Sequence, residues 1–584
     1  MHVVELLEKR FADALFGMVD DPAAFAGLIK PTKDDKHGDY QANLAMSVAK
    51  QLNRKPREVA DELVRRLQAH DLVETPEIAG PGFINLRLRR EWLADQMQAL
   101  FQDQRLGITP VAQPKRFVID FSSPNVAKPM HVGHLRSTII GDALTRLLRF
   151  MGHQVITDNH LGDWGTQFGM LIYGWKHNLD REALQRDPVQ EMVRLYLWVR
   201  EQIKLAGAAA EGEEEEAANP VAEACRRETA KLHAGDLENT QLWQRMMPWC
   251  QAELNRIYRR LDIHFDHTLG ESHYNPQLAG VVNDLIAKGI AQESKGAYVV
   301  FFGENEPPAL IRKRDGAFTY MTTDLATIRH RVEEWKAQTV LYVVDARQAL
   351  HFQQLFATAK RWGYQQTDFV HIVFGSVLGQ DGKPIKTREG GAIELQALLN
   401  EAVERAAQII RDNSPELSKE EQMQVAEAVG IGAVKYADLS QNRSSDYVFS
   451  WDKMLAMNGN TGAYMQYACA RVRSIFRKGG LLADAFRQQV YPIHINHPQE
   501  RQLALALLRF PEALQQAVQD YRPNAITSYL WDLAKPYSSF FDQCPVLKAD
   551  TEAMRNSRLV LCDLTARVLQ QGLALLGIQT PERM

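Results

Sequence analysis

The sequence predicts a multidomain α/β protein whose centre is a doubly wound parallel sheet. The apolar run Phe117 to Phe121 is typical of a buried parallel strand, and an apolar-periodic helix begins near Leu135. Strand and helix patterns alternate again between about residues 272 and 399. The 584 residues exceed what one hydrophobic core organises, and the chain turns strongly helical after Asn400. We therefore expect an α+β module before the sheet and an all-α bundle after it.

Breaks in these patterns predict three domains. Residues 1–112 carry helical periodicity and one alternating strand, and a proline-bearing link, Thr109 to Pro114, follows them. The sheet domain is predicted over 113–400, with a helical insertion at about 176–262. Prolines punctuate the helices of the last predicted domain, 401–584, which is typical of a helical bundle.

Composition narrows the class of protein without identifying it. The chain is 45% hydrophobic and 24% charged, with a net charge of -4, which is ordinary for a globular protein and does not reveal a partner. Its five cysteines are scattered without C-x-x-C spacing, so neither a zinc ribbon nor a disulfide framework is predicted. The N-terminal segment lacks an apolar signal core and the chain lacks a membrane-length apolar run, so we expect a cytoplasmic protein.

Two histidines around one glycine follow the first strand of the sheet. His131 and His134 lie at the predicted N-terminal mouth of the helix, where the dipole and unpaired backbone N–H groups favour an anion such as phosphate. Gly133, which has no side chain, would let a flat ring approach the backbone. Histidines at a helix start are often only caps or surface residues, so the motif alone is weak. Its position after the first strand of a doubly wound sheet favours a nucleotide site.

Further apolar runs are expected to complete the parallel sheet. These are Gln154 to Asp158, Ala297 to Phe302, Val340 to Val344 and Val370 to Phe374. Between the second strand and the insertion lies a glycine-rich segment, whose glycines would bring backbone close to a ligand: Gly162, Gly165 and Gly169.

The run from Asp120 to Ser137 resembles the signature of class I aminoacyl-tRNA synthetases, in which His-Val-Gly-His is a variant of the His-Ile-Gly-His element. Taken with its flanks, it is most similar to the arginyl-tRNA synthetase family. The resemblance covers nearly the whole chain and is weakest from about Lys176 to Asp262. Supporting runs are Gly38 to Asn43, Ala79 to Asn85, Asn159 to Gly169 and Gly459 to Ala468.

The resemblance implies an ATP-dependent ligase. Such an enzyme activates arginine with Mg-ATP to arginyl-adenylate and pyrophosphate, then transfers the arginine to the 3′ end of tRNA. Catalysis is then mainly positioning and stabilisation of charge on the phosphate oxygens. The resemblance implies that His131 and His134 contact the triphosphate, that Gly133 makes room for adenine, and that Gly162 and Gly165 belong to the ATP site. No protein-bound structural metal is expected, because Mg²⁺ travels with ATP.

The second class I element, Lys-Met-Ser-Lys-Ser, is degenerate in this chain. The corresponding loop, residues 379–388, places Thr387 where the second lysine belongs. In arginyl enzymes with such a loop, a lysine just before the His-x-Gly-His element is thought to substitute, and Lys128 has that position. We expect Lys128 to supply the cation on the pyrophosphate side, with Lys383 and Lys386 secondary. The alternative is that Lys383 and Lys386 are a solvated pair on a flexible loop.

A guanidinium presents five donors in a planar fork, so its pocket should hold carboxylates and a flat ring. The resemblance implies that Asp120, Tyr320 and Asp324 frame the arginine side chain. It further implies that Asn125 holds the α-amino or carboxylate end and that Gln348 closes the pocket. An acidic residue at such a position is otherwise a helix cap or a surface charge. Because such a pocket strongly rejects other amino acids, no editing domain is expected, and the insertion should instead guide the tRNA acceptor end.

The tRNA contacts are expected at both ends of the chain. The resemblance implies that the N-terminal module meets the corner of the tRNA and that the C-terminal domain meets the anticodon. Tyr464, Tyr467 and Arg471 share helix faces and would offer stacking surfaces beside a cation, although tyrosines at helical spacing are more often core. Tyr529 and the last residue, Met584, are further candidates. The family expectation is a monomer that binds no DNA and no membrane.

Two other functions use parts of this pattern. A small-molecule nucleotidyltransferase shares the histidine motif but needs neither terminal domain, and a non-catalytic RNA-binding relative would lose the catalytic groups, which are present here. The sequence contains neither a G-x-x-x-x-G-K-[ST] loop nor an H-E-x-x-H motif, so a GTPase, a helicase or a zinc hydrolase is not predicted.

Overall fold

The computed structural model describes residues 3–32, 35–207, 219–303, 306–383, 385 and 393–584. Its contacts group the chain into two compact units. We call them the terminal unit (Met1–Pro110, Ala456–Ala574 and Gln579–Met584) and the central unit (Val111–Leu455 and Leu575–Ile578). Residues 401–455 thus group with the sheet. The domain boundaries at 112 and 400 remain predictions from the sequence.

The N-terminal part of the terminal unit is a small α+β module. Its strands pair antiparallel in the order β1-β2-β4-β3. The elements are α1 (Val3–Leu15), α2 (Pro22–Ala26), β1 (Ile29–Pro31), a 3₁₀ turn (Asp35–His37), β2 (Tyr40–Ala42), α3 (Leu44–Leu52), α4 (Pro56–Arg66), β3 (Glu77–Ala79), β4 (Phe83–Leu86) and α5 (Arg90–Gln102).

The central unit contains the predicted doubly wound sheet and a helical insertion. Its elements are β5 (Arg116–Asp120), α6 (Val132–Phe150), β6 (Gln154–Leu161), α7 (Thr166–Asn178), α8 (Arg181–Arg186), α9 (Pro188–Gly207), α10 (Pro220–His233), α11 (Leu237–Arg260), β7 (His267–Gly270), α12 (Glu271–Tyr274), a 3₁₀ turn (Asn275–Gln277), α13 (Leu278–Ala287), β8 (Gln292–Ser294), β9 (Ala297–Val300), β10 (Ala309–Arg312), α14 (Tyr320–Glu333), β11 (Thr339–Tyr342), a 3₁₀ turn (Ala346–Gln348), α15 (Ala349–Trp362), β12 (Asp368–His371), β13 (Val377–Leu378), α16 (Leu395–Asn413), α17 (Lys419–Leu439), β14 (Tyr447–Val448) and α18 (Trp451–Met454).

Five of these strands form one parallel sheet in the order β12-β11-β5-β6-β7. The chain runs outward from β5 through β6 to β7, then returns to the other side of β5 at β11. The strand order therefore reverses between β5 and β11, and in open α/β sheets ligands bind at the carboxyl ends of the strands at such a point. Asp120 and Tyr342 end these two strands.

One predicted strand of this sheet is wrong. Residues 297–302 contribute β9, which belongs to a separate antiparallel sheet of order β10-β9-β8. Lys295 and Gly296 link β8 to β9 with φ values of 50° and 80°, the two positive values that a tight two-residue hairpin requires. Such a local antiparallel partner is closer than the central sheet. The missing parallel strand is β7, which is short and carries polar residues.

The C-terminal part of the terminal unit is all helical, as predicted. It packs on the N-terminal module through buried polar contacts. Arg501 pairs with Asp39 at 2.6 Å and donates to the carbonyl of Leu88, and Arg567 donates to the carbonyl of Phe101. The helices are α19 (Gly462–Lys478), α20 (Ala483–Arg487), α21 (Pro498–Leu508), α22 (Phe510–Gln519), α23 (Asn524–Gln543) and α24 (Glu552–Leu575).

Two features considered in the sequence can be examined in the described ranges: the state of the cysteines and the presence of membrane-spanning helices. All five cysteines are buried free thiols. Among the helices that the structure describes, none is long and apolar enough to cross a membrane.

Helix α6 packs tightly against the residue that follows β5. A Cβ on Gly141 would lie 2.1 Å from the ring of Phe121, far inside normal contact distance. Phe121 is 1% exposed and directly follows Asp120. The glycine therefore lets the helix lie close to the end of β5, where the site is expected.

We predict that Gly141→Ala destabilises the protein by about 1–3 kcal/mol, because the methyl group overpacks the Phe121 site. Urea or thermal unfolding would measure it. The matched control is Gly280→Ala in α13, where a Cβ meets nothing within 4 Å. That change should be neutral or stabilising by about 0.5–1 kcal/mol, since it removes only the helix penalty of glycine. Equal effects of the two changes would contradict this packing argument.

Candidate active site

A cavity of about 940 Å³ lies at the carboxyl ends of β5 and β11. This volume suits a large ligand. The structure brings most of the predicted site residues together in its wall: Asp120, Asn125, His131, Gly133, His134, Gly162, Tyr320, Asp324 and Gln348. Gly165, Lys128 and Lys383 are not part of the wall.

The two histidines cap helix α6 with their Nδ1 atoms. His131 Nδ1 accepts from the backbone N–H of Gly133 at 3.1 Å, and His134 Nδ1 accepts from the N–H of His131 at 3.1 Å. An Nδ1 that accepts leaves the proton of a neutral imidazole on Nε2. One nitrogen of each ring, Nδ1, therefore caps the helix, as the alternative interpretation of the motif expected. The other nitrogen, Nε2, remains a hydrogen-bond donor.

The structure corrects the reason why an anion would bind at this helix. The backbone N–H groups of the mouth are already used, because Val132 donates to the carbonyl of Ile393, Gly133 to His131 Nδ1 and His134 to the carbonyl of His131. A phosphate would therefore rely on side chains. Gly133 has a corresponding role, since a Cβ there would lie 2.8 Å from the His131 ring. Its lack of a side chain is needed first for the cap.

Burial makes these imidazoles neutral. Together with the nearby positive charge of Lys128, it lowers the pKa of His131 to about 4 and that of His134 to about 3. At neutral pH the pair thus offers hydrogen-bond donors without positive charge. A cation for a triphosphate has to come from another residue.

Lys128 lies on the insertion side of the histidines. It lines a small second cavity with residues of α9 and α11, among them Met192 and Glu253. Burial and the charge of Arg200 lower the pKa of Lys128. The lysine is thus close enough to influence both histidines, although it lines the second cavity and not the main one.

The degenerate loop begins and ends beside the site. It leaves β13, where the Ile385 N–H donates to the carbonyl of Val377, and Ile385 lines the main cavity. After residues outside the described part of the chain, Glu394 pairs with His131 in an antiparallel bridge. Lys383 is exposed, and Lys386 lies outside the described residues.

The acidic side of the cavity carries the predicted arginine-binding residues. Asp324 and Tyr320 lie one turn apart on α14, and the Asp324 carboxylate pairs with His351 Nε2 at 2.6 Å. Tyr320 is 73% exposed, so its ring is free to cover a ligand. Asp120 accepts from Ser123 Oγ at 2.7 Å through Oδ1, and its Oδ2 is held by Arg331.

The glycine-rich segment supports Asn125. Gly162 exchanges backbone hydrogen bonds with the Asn125 neighbours, and the Asn125 amide donates to Gln167 at 3.1 Å. Gly165 lies behind this amide, since a Cβ there would be 4.0 Å from Nδ2. The prediction for Gly169 is wrong: its missing Cβ would lie 2.1 Å from Thr229 Oγ1, so this glycine lets α7 pack on α10.

Sequence reasoning missed three charged residues of this region: Glu271, Arg331 and His351. Glu271 begins α12 directly after β7, a strand that was not predicted, and burial raises its pKa to about 7. Arg331 and His351 lie on predicted helical stretches, at spacings of seven and 27 residues from Asp324. The spacing of seven places Arg331 on the same helix face as Asp324, which was the available signal.

The candidate tRNA-binding residues lie in the terminal unit. Tyr467 is exposed on α19, Tyr464 packs edge-to-face with Trp531, and Arg471 stacks on Phe541 with 4.1 Å to the ring centre. Residues 580–582, just before Met584, are held on the same helix by Arg473 and Arg477.

Tyr529 differs from the other candidates. It is buried, its ring stacks on Phe510, and its hydroxyl donates to the carbonyl of Ala506 at 3.1 Å. This environment indicates a packing role in the bundle. A stacking surface for a base requires an open ring face, which Tyr467 offers instead.

Comparison with known proteins agrees with this architecture. Three family profiles match in order: "Arginyl tRNA synthetase N terminal domain" over residues 5–88, "tRNA synthetases class I (R), catalytic domain" over 96–451 and "DALR anticodon binding domain" over 465–584. An arginine–tRNA ligase from Rhodopirellula baltica is 45% identical, with both chains covered completely. One from Thermobifida fusca is 45% identical over 95% of each chain.

Solved structures show the same likeness. The arginyl-tRNA synthetase of Plasmodium falciparum superposes with a TM-score of 0.82 at 26% identity, covering 100% of this chain and 99% of the other. That of Thermus thermophilus gives 0.79 at 26% identity and covers both chains completely.

The sheet, the capping histidines and the catalytic-domain match define a class I aminoacyl-tRNA synthetase. Within that class, the chain belongs to the arginyl-tRNA synthetase family. A small-molecule nucleotidyltransferase, considered from the histidine motif alone, does not account for the matches to both terminal domains.

The pKa of Glu271 leads to a pH prediction for arginine binding. The ionised carboxylate attracts the arginine cation, and a group of pKa about 7 is mostly protonated at pH 6. Arginine affinity should therefore rise about tenfold from pH 6 to pH 8. Calorimetric titration across this range would measure it, and Glu271→Gln should flatten most of the rise.

His351 is the control for this prediction. Hydrogen bonding to Asp324 raises its pKa, opposed by burial, so its protonation at low pH also ties up Asp324. His351→Gln keeps a donor near the Nε2 position and should retain the contribution of Glu271. A pH profile that is unchanged in Glu271→Gln would contradict the role given to this carboxylate.

Proposed function

We propose that the cavity binds L-arginine and Mg-ATP side by side, forms arginyl-adenylate and pyrophosphate, and transfers arginine to the 3′ end of tRNA. The proposal rests mainly on one observation: the cavity wall has an acidic region and a separate region lined by histidines. Carboxylates line the β7 and α14 side, at Glu271 and Asp324, while two neutral imidazoles line the mouth of α6. A cationic amino acid and a phosphate chain need these opposite environments.

The arginine side chain is assigned to the acidic side. Asp324 offers a carboxylate oxygen beside its bond to His351, and Tyr320 offers an open ring for the planar guanidinium. Asp120 adds a second carboxylate at the end of β5. Asn125 is assigned to the α-amino or carboxylate end of the substrate, Glu271 to the α-amino group, and Gln348 to the rim of the pocket.

ATP is assigned to the α6 side. The Nε2–H groups of His131 and His134 are oriented by the caps at Nδ1, so they can donate to phosphate oxygens as charge develops on them. Gly133 and Gly162 line the wall where the nucleoside would lie, and Gly165 supports Asn125 from behind. Because the helix N–H groups are occupied, side chains supply the stabilisation of the transition state.

The positive charge is assigned to Lys128, with Lys383 and Lys386 secondary. Burial and the charge of Arg200 weaken the charged form of Lys128, which an arriving anion would stabilise. A rotation of its side chain from the small second cavity toward the histidines would bring it to the pyrophosphate side. The position of Lys383 on an exposed turn fits a supporting role.

The tRNA is assigned to both ends of the chain. Tyr464, Tyr467, Arg471 and the C-terminal residue Met584 form the anticodon-side candidate surface, and the N-terminal module is assigned to the tRNA corner. The insertion 176–262 is assigned to the acceptor end. We expect a monomer in the cytoplasm, with Mg²⁺ entering as part of Mg-ATP.

Amino-acid specificity tests this proposal. ATP-pyrophosphate exchange with each of the 20 amino acids should proceed only with arginine and only when tRNA is present. Asp324→Ala should abolish arginine binding and leave ATP binding intact, because it removes a carboxylate partner of the guanidinium. Glu334→Ala, an exposed carboxylate at the end of the same helix, is the control and should behave as wild type. Exchange with lysine at a comparable rate would contradict the pocket.

The choice of cation has a separate test. Lys128→Ala should lower the rate of arginyl-adenylate formation roughly 100-fold, as expected when a charge-stabilising group is removed. Lys386→Ala and Lys383→Ala should each cost less. Single-turnover measurements with tRNA present would separate this effect from tRNA release. If Lys386→Ala proved the more damaging change, the degenerate loop would still supply the essential cation.

A further inference from the structure

An arginine of the protein is buried beneath the arginine-binding side of the cavity. Nη2 of Arg331 donates to Asp120 Oδ2 at 2.8 Å and to Asp158 Oδ2 at 2.7 Å. The side chains of Arg331 and Asp158 are 0% exposed, and that of Asp120 is 11% exposed. A single guanidinium nitrogen therefore connects Asp120, the last residue of β5, with Asp158, its neighbour within β6.

Arg331 belongs to the helix that carries two arginine-binding candidates. Tyr320, Asp324 and Arg331 occur at intervals of four and seven residues on α14 and so share one helix face. The ion pairs hold this face against the end of β5 and the neighbouring part of β6. The relative orientation of the Asp324 and Asp120 carboxylates thus depends on Arg331, which does not line the cavity.

The charges of this cluster do not cancel. Two carboxylates, those of Asp120 and Asp158, share one guanidinium, so the cluster in its ionised form carries one more negative than positive charge. The groups that face the cluster from neighbouring elements are Tyr274, Tyr342, His160 and His330, together with Glu271 at the cavity wall. Burial raises the pKa of both tyrosines and lowers that of His330, so these three groups are neutral at pH 7. The three-residue cluster keeps one negative charge.

Burial makes this remaining charge costly. It raises the pKa of Asp158, while Arg331 opposes the shift. Asp120 is the member of the cluster that reaches the cavity wall. An uncompensated buried carboxylate is strongly stabilised by a cation that contacts it, and weakly by a neutral ligand of the same shape.

We propose that Arg331 is a positioning and specificity-determining residue: it neutralises Asp158, fixes one oxygen of Asp120, and leaves the cluster one cation short, so that substrate arginine completes it. This inference rests on the proposed function. The preference for a cationic substrate then depends on the net charge of the whole cluster, which includes buried residues that do not contact the substrate.

The proposal predicts how arginine affinity follows the charge of the cluster. Asp158→Asn removes the net negative charge and should weaken arginine binding roughly 30-fold, although Asp158 does not line the cavity. Arg331→Met leaves two adjacent carboxylates, one of which takes up a proton near neutral pH. Arginine binding should then be weaker at pH 6 than at pH 8.5 by more than in wild type.

The double change Arg331→Met with Asp158→Asn restores one negative charge. It should bind arginine more tightly than Asp158→Asn, to within about tenfold of wild type. Arg331→Lys keeps the cation and should lie between wild type and Arg331→Met. A role in folding alone would lower ATP and tRNA affinity together with arginine affinity, whereas the charge of the cluster should affect arginine affinity alone.

The test is calorimetric titration of arginine into these four variants and wild type from pH 6 to pH 8.5. ATP and tRNA affinities of the same proteins serve as the measure of intact folding. The matched control is Arg329→Met, a half-buried arginine of the same helix that contacts Gln277 and Trp362, and it should bind arginine as wild type does.

Asp158→Asn with unchanged arginine affinity would overturn the inference, as would a double variant that binds arginine no more tightly than Asp158→Asn. Both results would leave the proposed function intact if the wild-type protein binds and activates arginine. Failure of wild type to bind arginine would instead reject the proposed function itself.

Discussion

The ion cluster of Arg331 with Asp120 and Asp158 is the interaction on which the site depends. It joins the end of β5 and the neighbouring part of β6 to the helix that carries Tyr320 and Asp324. Buried ion pairs contribute little to stability on average, because desolvation offsets attraction. Their value here is geometric and electrostatic: the cluster orients a carboxylate at the point where the strand order reverses, and it keeps a negative charge there.

The phosphate side of the cavity depends on a different local device. His131 and His134 use one nitrogen each to complete the start of α6, which fixes the tautomer and the direction of the other nitrogen. Burial keeps both rings neutral. A structural role and a binding role are therefore carried by opposite edges of the same rings, and Gly133 is required because the first ring occupies the space of a side chain.

Local signals in the sequence predicted much of the site and of the fold. The histidines, Asp120 and the Tyr320 to Asp324 turn lie in short motifs beside strand ends, where position along the chain determines position in space. Longer-range features were not predictable in this way. The strand at 297–302 has the apolar character of a central strand, yet its hairpin partner lies two residues away. Gly169 and Gly162 look alike in the sequence, but one faces a neighbouring helix and the other the cavity.

Charged residues were the hardest to predict. The spacing of seven from Asp324 is a weak signal that Arg331 points inward, since an arginine in the last turn of a helix is favoured at the surface as well. Glu271 follows a short polar strand that carries no clear pattern. Both become functional candidates only when the sheet order places them beside Asp120 and Asp324.

The central claim is that a net negative charge at this site selects a cationic substrate. Citrulline tests it most directly, because it has nearly the shape of arginine but carries a neutral urea group. Comparison of the two affinities in the wild-type protein at pH 8 should show arginine bound roughly 1,000-fold more tightly or better. Citrulline binding within tenfold of arginine would contradict the account, since shape and hydrogen bonding would then suffice without the charge.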